Sequence, residues 1–445
     1  MKKLFLAFLF FVFLQTFLFS STEEIDAFVN GYIQKKKIPG VAALVKKDGT
    51  TVLSKGYGYA NLEHMVPVKP ETIFQSGSIG KQFTATAVMI LVEEGKVQLS
   101  DPVSKYLTVP KTWDKIKISH MLSHTSGLGD YPEEFDLQKD YTEDDLLKMV
   151  TASKLFFEPG EQYKYSNLAY LTLGILIHKV TGKFYGDFLQ ERVFQPLGMD
   201  NTRIISEADI IPNRAAGYRL VKDEIKNQEW VAPSLNTTAD GSLYFNVLDM
   251  AKWDAGLETE KILKKSSLDQ MWTEVVLNNG KKESYGFGWG VEKTKNGHRL
   301  IEHGGAWQGF TSHIARYVDD GISVMVLCNL AGGDSTYIAH KLAGFYNADL
   351  GPAQHTATSL DPSILKSYEG TYRLDDRLDL KVTLQNGKLI SEFGSQRNEL
   401  IPESETLFFV EDSEYTYEFK KDSSGKVTGF LLRVPTELEF KRIEK

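Results

Sequence analysis

The stretch Ser78-Ile79-Gly80-Lys81-Gln82-Phe83-Thr84-Ala85-Thr86-Ala87-Val88-Met89-Ile90-Leu91-Val92-Glu93-Glu94-Gly95 decides how the rest of the chain reads. From Lys81 to Glu94 it runs fourteen residues without proline or glycine, apolar on nearly every side, and stops at Gly95. Such a segment predicts a helix buried all round at the centre of a domain. Ser78 and Lys81 stand three residues apart at its start, so helical spacing brings hydroxyl and amine to one face within reach of each other. A serine hydroxyl needs a base to become a nucleophile, and a lysine walled in by apolar residues loses its preference for the ammonium form and can serve as that base. The helix N-terminus adds N–H groups and positive dipole where an oxyanion would form. Alone, however, S-x-x-K also describes an N-capping serine followed by a surface lysine.

Outward from this helix, 24–35 reads as helical, and Val41 to Val45, Asp48-Gly49 and Thr51 to Gly56 as a β-hairpin. Asp101 to Lys264 carries helical spacing punctuated by glycine and proline, with helices at Glu143 to Ser153, Leu168 to Val180 and Leu248 to Leu257. Strands return at Gly286 to Val291, Arg299 to His303, Ser312 to Tyr317 and Ile322 to Cys328, followed by a helix from Tyr337 to Tyr346. One sheet therefore draws on both ends of this region, with a helical subdomain inserted between them. Residues 349–362, rich in Pro, Gly, Ser, Thr and Ala, have linker composition. Beyond them, Leu378 to Leu384 alternates strictly before the Asn386-Gly387 turn. Further strands fit Leu407 to Val410, Tyr415 to Phe419, Val427 to Arg433 and Glu437 to Ile443, which makes residues 363–445 a small all-β module of barrel or sandwich type.

Two other motifs accompany Ser78 and Lys81. Tyr165-Ser166-Asn167 follows the turn-forming Pro159-Gly160, and His303-Gly304-Gly305 falls at the end of a strand, where two glycines would let a substrate approach the backbone. Taken singly, Tyr165 reads as a core aromatic, Asn167 as the cap of the Leu168 helix, and His303 as a loop hydrogen-bonder. Together, in this order, they resemble the penicillin-recognising serine hydrolases, in the branch of class C β-lactamases, related esterases and D-aminopeptidases. The resemblance covers Ile25 to Tyr346 and includes the stretches Ile118 to Leu128 and Pro196-Leu197-Gly198-Met199.

The resemblance implies an α/β (α+β) fold of β-lactamase/transpeptidase type: a mostly antiparallel sheet flanked by helices over residues 22–348. The all-β tail resembles lipocalin-like modules. For the site, the resemblance implies that Ser78 attacks a carbonyl while Lys81 and Tyr165 share the proton transfers. Asn167 would orient Lys81 and substrate, and His303 would face Ser78 from its strand beside Gly304 and Gly305. The backbone N–H groups of Ser78 and Ala306 would form the oxyanion hole. One departure bears on substrate. Where true β-lactamases and carboxypeptidases usually carry Lys-Thr-Gly, this chain has His303, and a neutral imidazole holds a substrate carboxylate less strongly than an ammonium. The expectation is cleavage of esters or peptide-like amides, with cell-wall-derived D-amino acid peptides among the substrates. A genuine β-lactamase is the alternative. A non-catalytic scaffold would be marked by loss of Ser78, Lys81 or Tyr165, all of which are present.

The bulk properties narrow the remaining classes. The 445 residues are 42% hydrophobic and 25% charged, a globular composition. Their formal charge of -8 gives nucleic acid no electrostatic footprint. Lys2 and Lys3 followed by the apolar run Leu4 to Phe19 read as a secretory signal peptide over residues 1–21, placing the protein in the periplasm or outside the cell; it would be membrane-bound only if the leader stayed uncleaved. The single cysteine, Cys328, lies within an apolar strand, which reads as packing rather than chemistry and allows no intramolecular disulfide. His120 and His124 have the i, i+4 spacing of a helical metal pair but lack the acidic residue of H-E-x-x-H, so no metal or cofactor is expected. There is no G-x-S-x-G elbow. Trp307, Gln308 and Phe310, just after the third motif, are candidate pocket residues or core.

Overall fold

The computed structural model describes residues 22–233, 238–375, 378–393, 396–433 and 437–443. The signal-peptide reading of 1–21 lies outside them. The chain divides into two compact units, the first running to Gly351 apart from Leu220–Glu224 and the second from Pro352 onward.

The first unit is built on a seven-stranded antiparallel sheet. After helix α1 (22–36) come β1 (Gly40–Lys47), β2 (Thr50–Asn61) and β3 (Val66–Pro67). The sheet is completed much later by β4 (Gly290–Lys293), β5 (Arg299–Trp307), β6 (Phe310–Tyr317) and β7 (Ile322–Cys328), in the spatial order β4-β5-β6-β7-β1-β2-β3. β1 and β7 read as continuous apolar runs because both of their faces are covered. Ala42, Leu44, Met325 and Leu327 join the large core around α2 (Gly80–Glu93), while their alternating neighbours face the other way. The intervening chain supplies α3 (Glu143–Ala152), α4 (Asn167–Thr181) and α5 (Val247–Leu257), and α6 (Ser335–Tyr346) packs on β6 and β7. Asp254 of α5 is fixed to the sheet by Lys46 Nζ at 2.6 Å, Arg316 Nε at 2.7 Å and Ser323 Oγ at 2.8 Å. This buried carboxylate is satisfied from three strands, as a charge out of water must be.

Two strand boundaries differ from the sequence expectation. The strand expected from Gly286 begins only at Gly290, because Gly288 adopts φ 76° and turns the chain against α2, where a Cβ would lie 2.8 Å from the Lys81 carbonyl oxygen. The strand expected to end at His303 runs on to Trp307, paired residue by residue with β6 down to Trp307 opposite Phe310. Gly304 and Gly305 therefore lie inside a strand and not beyond its end.

The second unit is a closed antiparallel barrel of eight strands: β8 (Gly370–Asp375), β9 (Leu378–Gln385), β10 (Lys388–Phe393), β11 (Gln396–Pro402), β12 (Leu407–Phe409), β13 (Thr416–Lys421), β14 (Val427–Arg433) and β15 (Glu437–Ile443). Asn386 and Gly387 both take positive φ between β9 and β10, the hairpin geometry that this dipeptide favours. Tyr368, Tyr372, Phe408, Tyr417, Phe419, Phe430 and Phe440 pack into its core. The barrel is thus filled by its own rings.

Candidate active site

Ser78 sits in a 3-10 turn (Gly77–Ile79) that feeds directly into α2, and it is partly open to solvent. The turn is wedged between backbones. Gly77 has φ 51°, and a methyl placed on it would fall 2.4 Å from the Ala306 nitrogen. On Gly305 a methyl would fall 2.1 Å from the Ser76 carbonyl oxygen and 2.3 Å from Ser312 Oγ. Gly241 and Gly80 meet in the same way on the opposite side, where a Cβ on Gly80 would lie 2.9 Å from the Gly241 Cα. The requirement for glycine at 305 thus comes from the protein's own main chain and not from a ligand. At Gly304 the nearest atom to a Cβ would be His313 Nδ1 at 3.4 Å, an ordinary contact. This packing brings the Ala306 main chain beside the turn that carries Ser78.

Lys81, fully buried, makes three hydrogen bonds: to Asn167 Oδ1 at 2.7 Å, to the Asp240 carbonyl oxygen at 2.7 Å and to Ser78 Oγ at 3.0 Å. Burial pulls its pKa down to about 8, against the opposing pull of Asp240 and Asp130. A neutral amine has two N–H donors and one lone pair. Asn167 Oδ1 and the Asp240 carbonyl are pure acceptors and take the two donors. The lone pair is then left aimed at the Ser78 hydroxyl, which is the geometry of a base on a nucleophile.

Tyr165 lies over the same amine, its ring centroid 4.9 Å from Lys81 Nζ. Burial raises the phenol pKa strongly, so Tyr165 holds its proton at neutral pH. Asn167 is the first residue of α4 and not its cap: Ser166 Oγ accepts the Ala169 N–H instead. That frees the Asn167 side chain, whose Nδ2 donates to the Asp130 carboxylate at 3.0 and 3.2 Å while its Oδ1 faces Lys81.

His303 donates from Nδ1 to the Gly304 carbonyl oxygen at 2.6 Å, so its Nε2 is the acceptor for the Tyr285 hydroxyl at 2.9 Å. Burial, then the nearby Lys81 charge, push its pKa down to about 3, keeping the ring neutral. Its ring centroid lies 6.3 Å from that of Tyr165. The structure therefore brings Ser78, Lys81, Tyr165, Asn167, His303, Gly305 and Ala306 together.

Several neighbours are not marked by any motif. Tyr285, on the loop before β4, touches the rings of His124, Tyr165 and His303. Asp240 supplies a main-chain acceptor to Lys81, and its carboxylate accepts from the Tyr131 hydroxyl at 3.2 Å. The only sequence signal for Tyr285 is its place among the glycines that precede β4.

The histidine pair does not form a metal site. The helix carrying His120 ends at Leu122, and His124 adopts φ 57°, which breaks the i, i+4 geometry. His124 is buried beneath Tyr165 and accepts the Ser166 N–H at Nδ1, 3.1 Å away. Cys328 is fully buried in β7, its thiol pushed up to about 12 by burial, and Phe310 belongs to the core. Trp307 packs against Ile73, Ile205, Ile211 and Tyr244.

The β-lactamase family profile matches residues 25–345. The chain belongs to that family. A second profile, described as a domain of unknown function (DUF3471), matches residues 354–444, which include the barrel. Penicillin-binding protein 4* of Bacillus subtilis (strain 168) is 30% identical over 402 residues, covering 84% of this chain and 89% of that protein. The octameric penicillin-binding protein homologue from Pyrococcus abyssi aligns with a TM-score of 0.69 and 27% identity over 94% of this chain and 100% of that one. A D-stereospecific amidohydrolase from Streptomyces aligns with a TM-score of 0.61 and 25% identity, covering 72% of this chain and 97% of that one. This member of the β-lactamase family thus has the fold of the penicillin-recognising serine hydrolases, followed by an all-β barrel.

Proposed function

We propose that this protein hydrolyses esters or peptide-like amides, D-amino acid amides foremost, through an acyl-enzyme on Ser78. One observation carries the reading: Lys81 Nζ, buried and with its pKa near 8, stands 3.0 Å from Ser78 Oγ with both of its neutral-state N–H groups already engaged. Lys81 takes the Ser78 proton as Oγ bonds to the substrate carbonyl carbon. The N–H groups of Ser78 and Ala306 hold the resulting oxyanion. Tyr165, protonated beside Ser78, gives its proton to the departing nitrogen or oxygen as the acyl bond breaks. Water then attacks the acyl carbon, its proton passing to the Tyr165 phenolate, and as the acyl–oxygen bond breaks Lys81 returns to Ser78 Oγ the proton it took. Asn167 orients Lys81, while His303 with Tyr285 lines the opposite wall as neutral groups.

The likeness to a D-stereospecific amidohydrolase supports the amide reading. The family description favours a second one, β-lactam hydrolysis, against which stands the neutral His303 where a cation would meet the β-lactam carboxylate. Export by the 1–21 leader would bring the enzyme to cell-wall-derived peptides. A fluorophosphonate probe should label the purified protein and leave Ser78→Ala unlabelled; equal labelling of both would remove Ser78 as nucleophile. Comparison of p-nitrophenyl esters, D-alanyl amides and nitrocefin then selects the substrate, and efficient nitrocefin turnover without esterase or amidase activity would favour the second reading.

A further inference from the structure

On β5, the residue before His303 points to the opposite face of the sheet, away from Ser78 and toward α6. There Glu302 Oε2 meets His313 Nε2 at 2.8 Å and His340 Nε2 at 2.7 Å. The three side chains come from β5, β6 and α6, and they are 4%, 2% and 7% exposed. Among the described residues these three donor atoms all lie within 4.8 Å of one another, in a setting that the hydrolytic reading does not use. We propose that Glu302, His313 and His340 form a binding site for one zinc-type divalent cation that ties α6 to β5 and β6.

Two imidazoles and one carboxylate are a donor set that zinc accepts, leaving a fourth tetrahedral position for a solvent molecule. The site is also prepared one layer out. His313 Nδ1 lies 3.0 Å from Thr336 Oγ1, one helical turn from His340 on α6. With its proton on Nδ1 and donated to that hydroxyl, His313 presents a bare Nε2 to the cation. Burial by itself would raise the Glu302 carboxyl, yet His340 and His313 outweigh it and hold the group ionised. When no cation is present the same atoms are joined by N–H···O bonds. Bond lengths of about 2.0–2.1 Å around a tetrahedral zinc separate its donors by about 3.3 Å, so binding lengthens the two Glu302–histidine contacts by about half an ångström. A cluster on the far face of β5 cannot act on substrate directly; its task is to hold the strand that carries His303 through Ala306.

The test uses the full chain, stripped with chelator and re-equilibrated with zinc chloride. Expected are about one zinc per chain by atomic emission, and a melting temperature that climbs with free zinc as linkage requires. Cobalt should bind with the visible absorption of a tetrahedral N/O site. Glu302→Gln and His340→Gln, which keep a polar side chain in place, should retain native circular dichroism and lose the metal, while Ser78→Ala should bind zinc as the unaltered chain does. That last variant separates this proposal from the hydrolytic one. Less than about a tenth of an equivalent of zinc with no change in melting, or unchanged stoichiometry in Glu302→Gln and His340→Gln, would overturn the site and leave the triad held by protons alone.

Discussion

Lys81 Nζ and Asn167 Oδ1 are 2.7 Å apart, and this contact, with the Asp240 carbonyl on another side of the amine, sets the direction in which Lys81 can accept a proton. The amine has no freedom to rotate its lone pair away from Ser78 without giving up a buried hydrogen bond. Motif spacing alone brings the two side chains to one face; the loop at Asp240 turns that proximity into a defined geometry.

The rate should therefore follow the protonation of Lys81. With its pKa lowered from 10.5 to about 8, the amine is mostly charged below pH 8 and cannot receive the Ser78 proton. We expect kcat/KM for a p-nitrophenyl ester to rise with pH, close to tenfold per unit well below the pKa, and to level off above about pH 8. Lys81→Arg, whose guanidinium stays protonated, should lose the limb and about 10²–10⁴ of the rate. A profile without a limb near pH 8 would remove Lys81 as the base.

Asn167→Ala deletes an acceptor that stabilises the charged amine more than the neutral one. The pH limb should move to lower pH, while the plateau kcat falls about 10–100-fold because Lys81 is no longer held in line. A merely structural Asn167 would lower melting without moving the limb, so the pH profile is the measurement that decides.

The Tyr285 hydroxyl is engaged by His303 Nε2 at 2.9 Å, whereas Tyr165 lies over the Lys81 amine, its ring centroid 4.9 Å from Nζ. Tyr165→Phe should cost about 10²–10⁴ in kcat, the range for a lost general acid. Tyr285→Phe removes only the donor on His303 Nε2 and should cost about tenfold or less, mainly in KM. Similar losses in both variants, measured with one ester, would mean that proton delivery is wrongly divided between them.

The residues legible in the sequence were those carried by short motifs on or beside regular elements. Ser78 and Lys81 share one helical start, and His303 announces itself through Gly304-Gly305. Tyr285, Asp130 and Asp240 come from loops without periodicity, so nothing short of the folded chain places them beside His303, Asn167 and Lys81. Asn167 could be read as a cap because its neighbour Ser166, an equally good one, was indistinguishable by composition. Among the barrel strands, Leu378–Gln385 shows clear alternation, whereas Gln396–Pro402 has just two large apolar residues and ends in proline, leaving no period to detect. Glu302 is separated by 11 residues from His313 and by 38 from His340, and no local pattern joins them.

Gly305→Ala tests whether the nucleophile turn depends on close backbone packing. Its Cβ would collide with the Ser76 carbonyl and with Ser312 Oγ, which itself donates to that carbonyl at 2.5 Å. The expected destabilisation is about 1–3 kcal/mol, seen as a lower melting temperature with a large loss of esterase activity. Gly304→Ala, where the nearest contact is ordinary, should melt within about 0.5 kcal/mol of the parent. Equal effects at the two glycines would contradict the packing argument.

His303→Lys bears on specificity. The parent ring is neutral at working pH, because burial and the neighbouring Lys81 push its pKa down to about 3. A lysine there would be strained toward neutrality by the same two causes, so its gain in cationic character is partial. It should nonetheless offer an ammonium to an incoming carboxylate whose charge offsets that of Lys81. For nitrocefin, which carries a carboxylate, kcat/KM relative to a neutral p-nitrophenyl ester should rise about tenfold, equivalent to about 1.4 kcal/mol of charge-assisted hydrogen bonding. Loss of the Tyr285 contact would lower both rates together and leave their ratio untouched, so the ratio isolates the charge. If it does not change, the third motif does not select substrates by charge, and the preference for neutral esters and amides must come from elsewhere in the cleft.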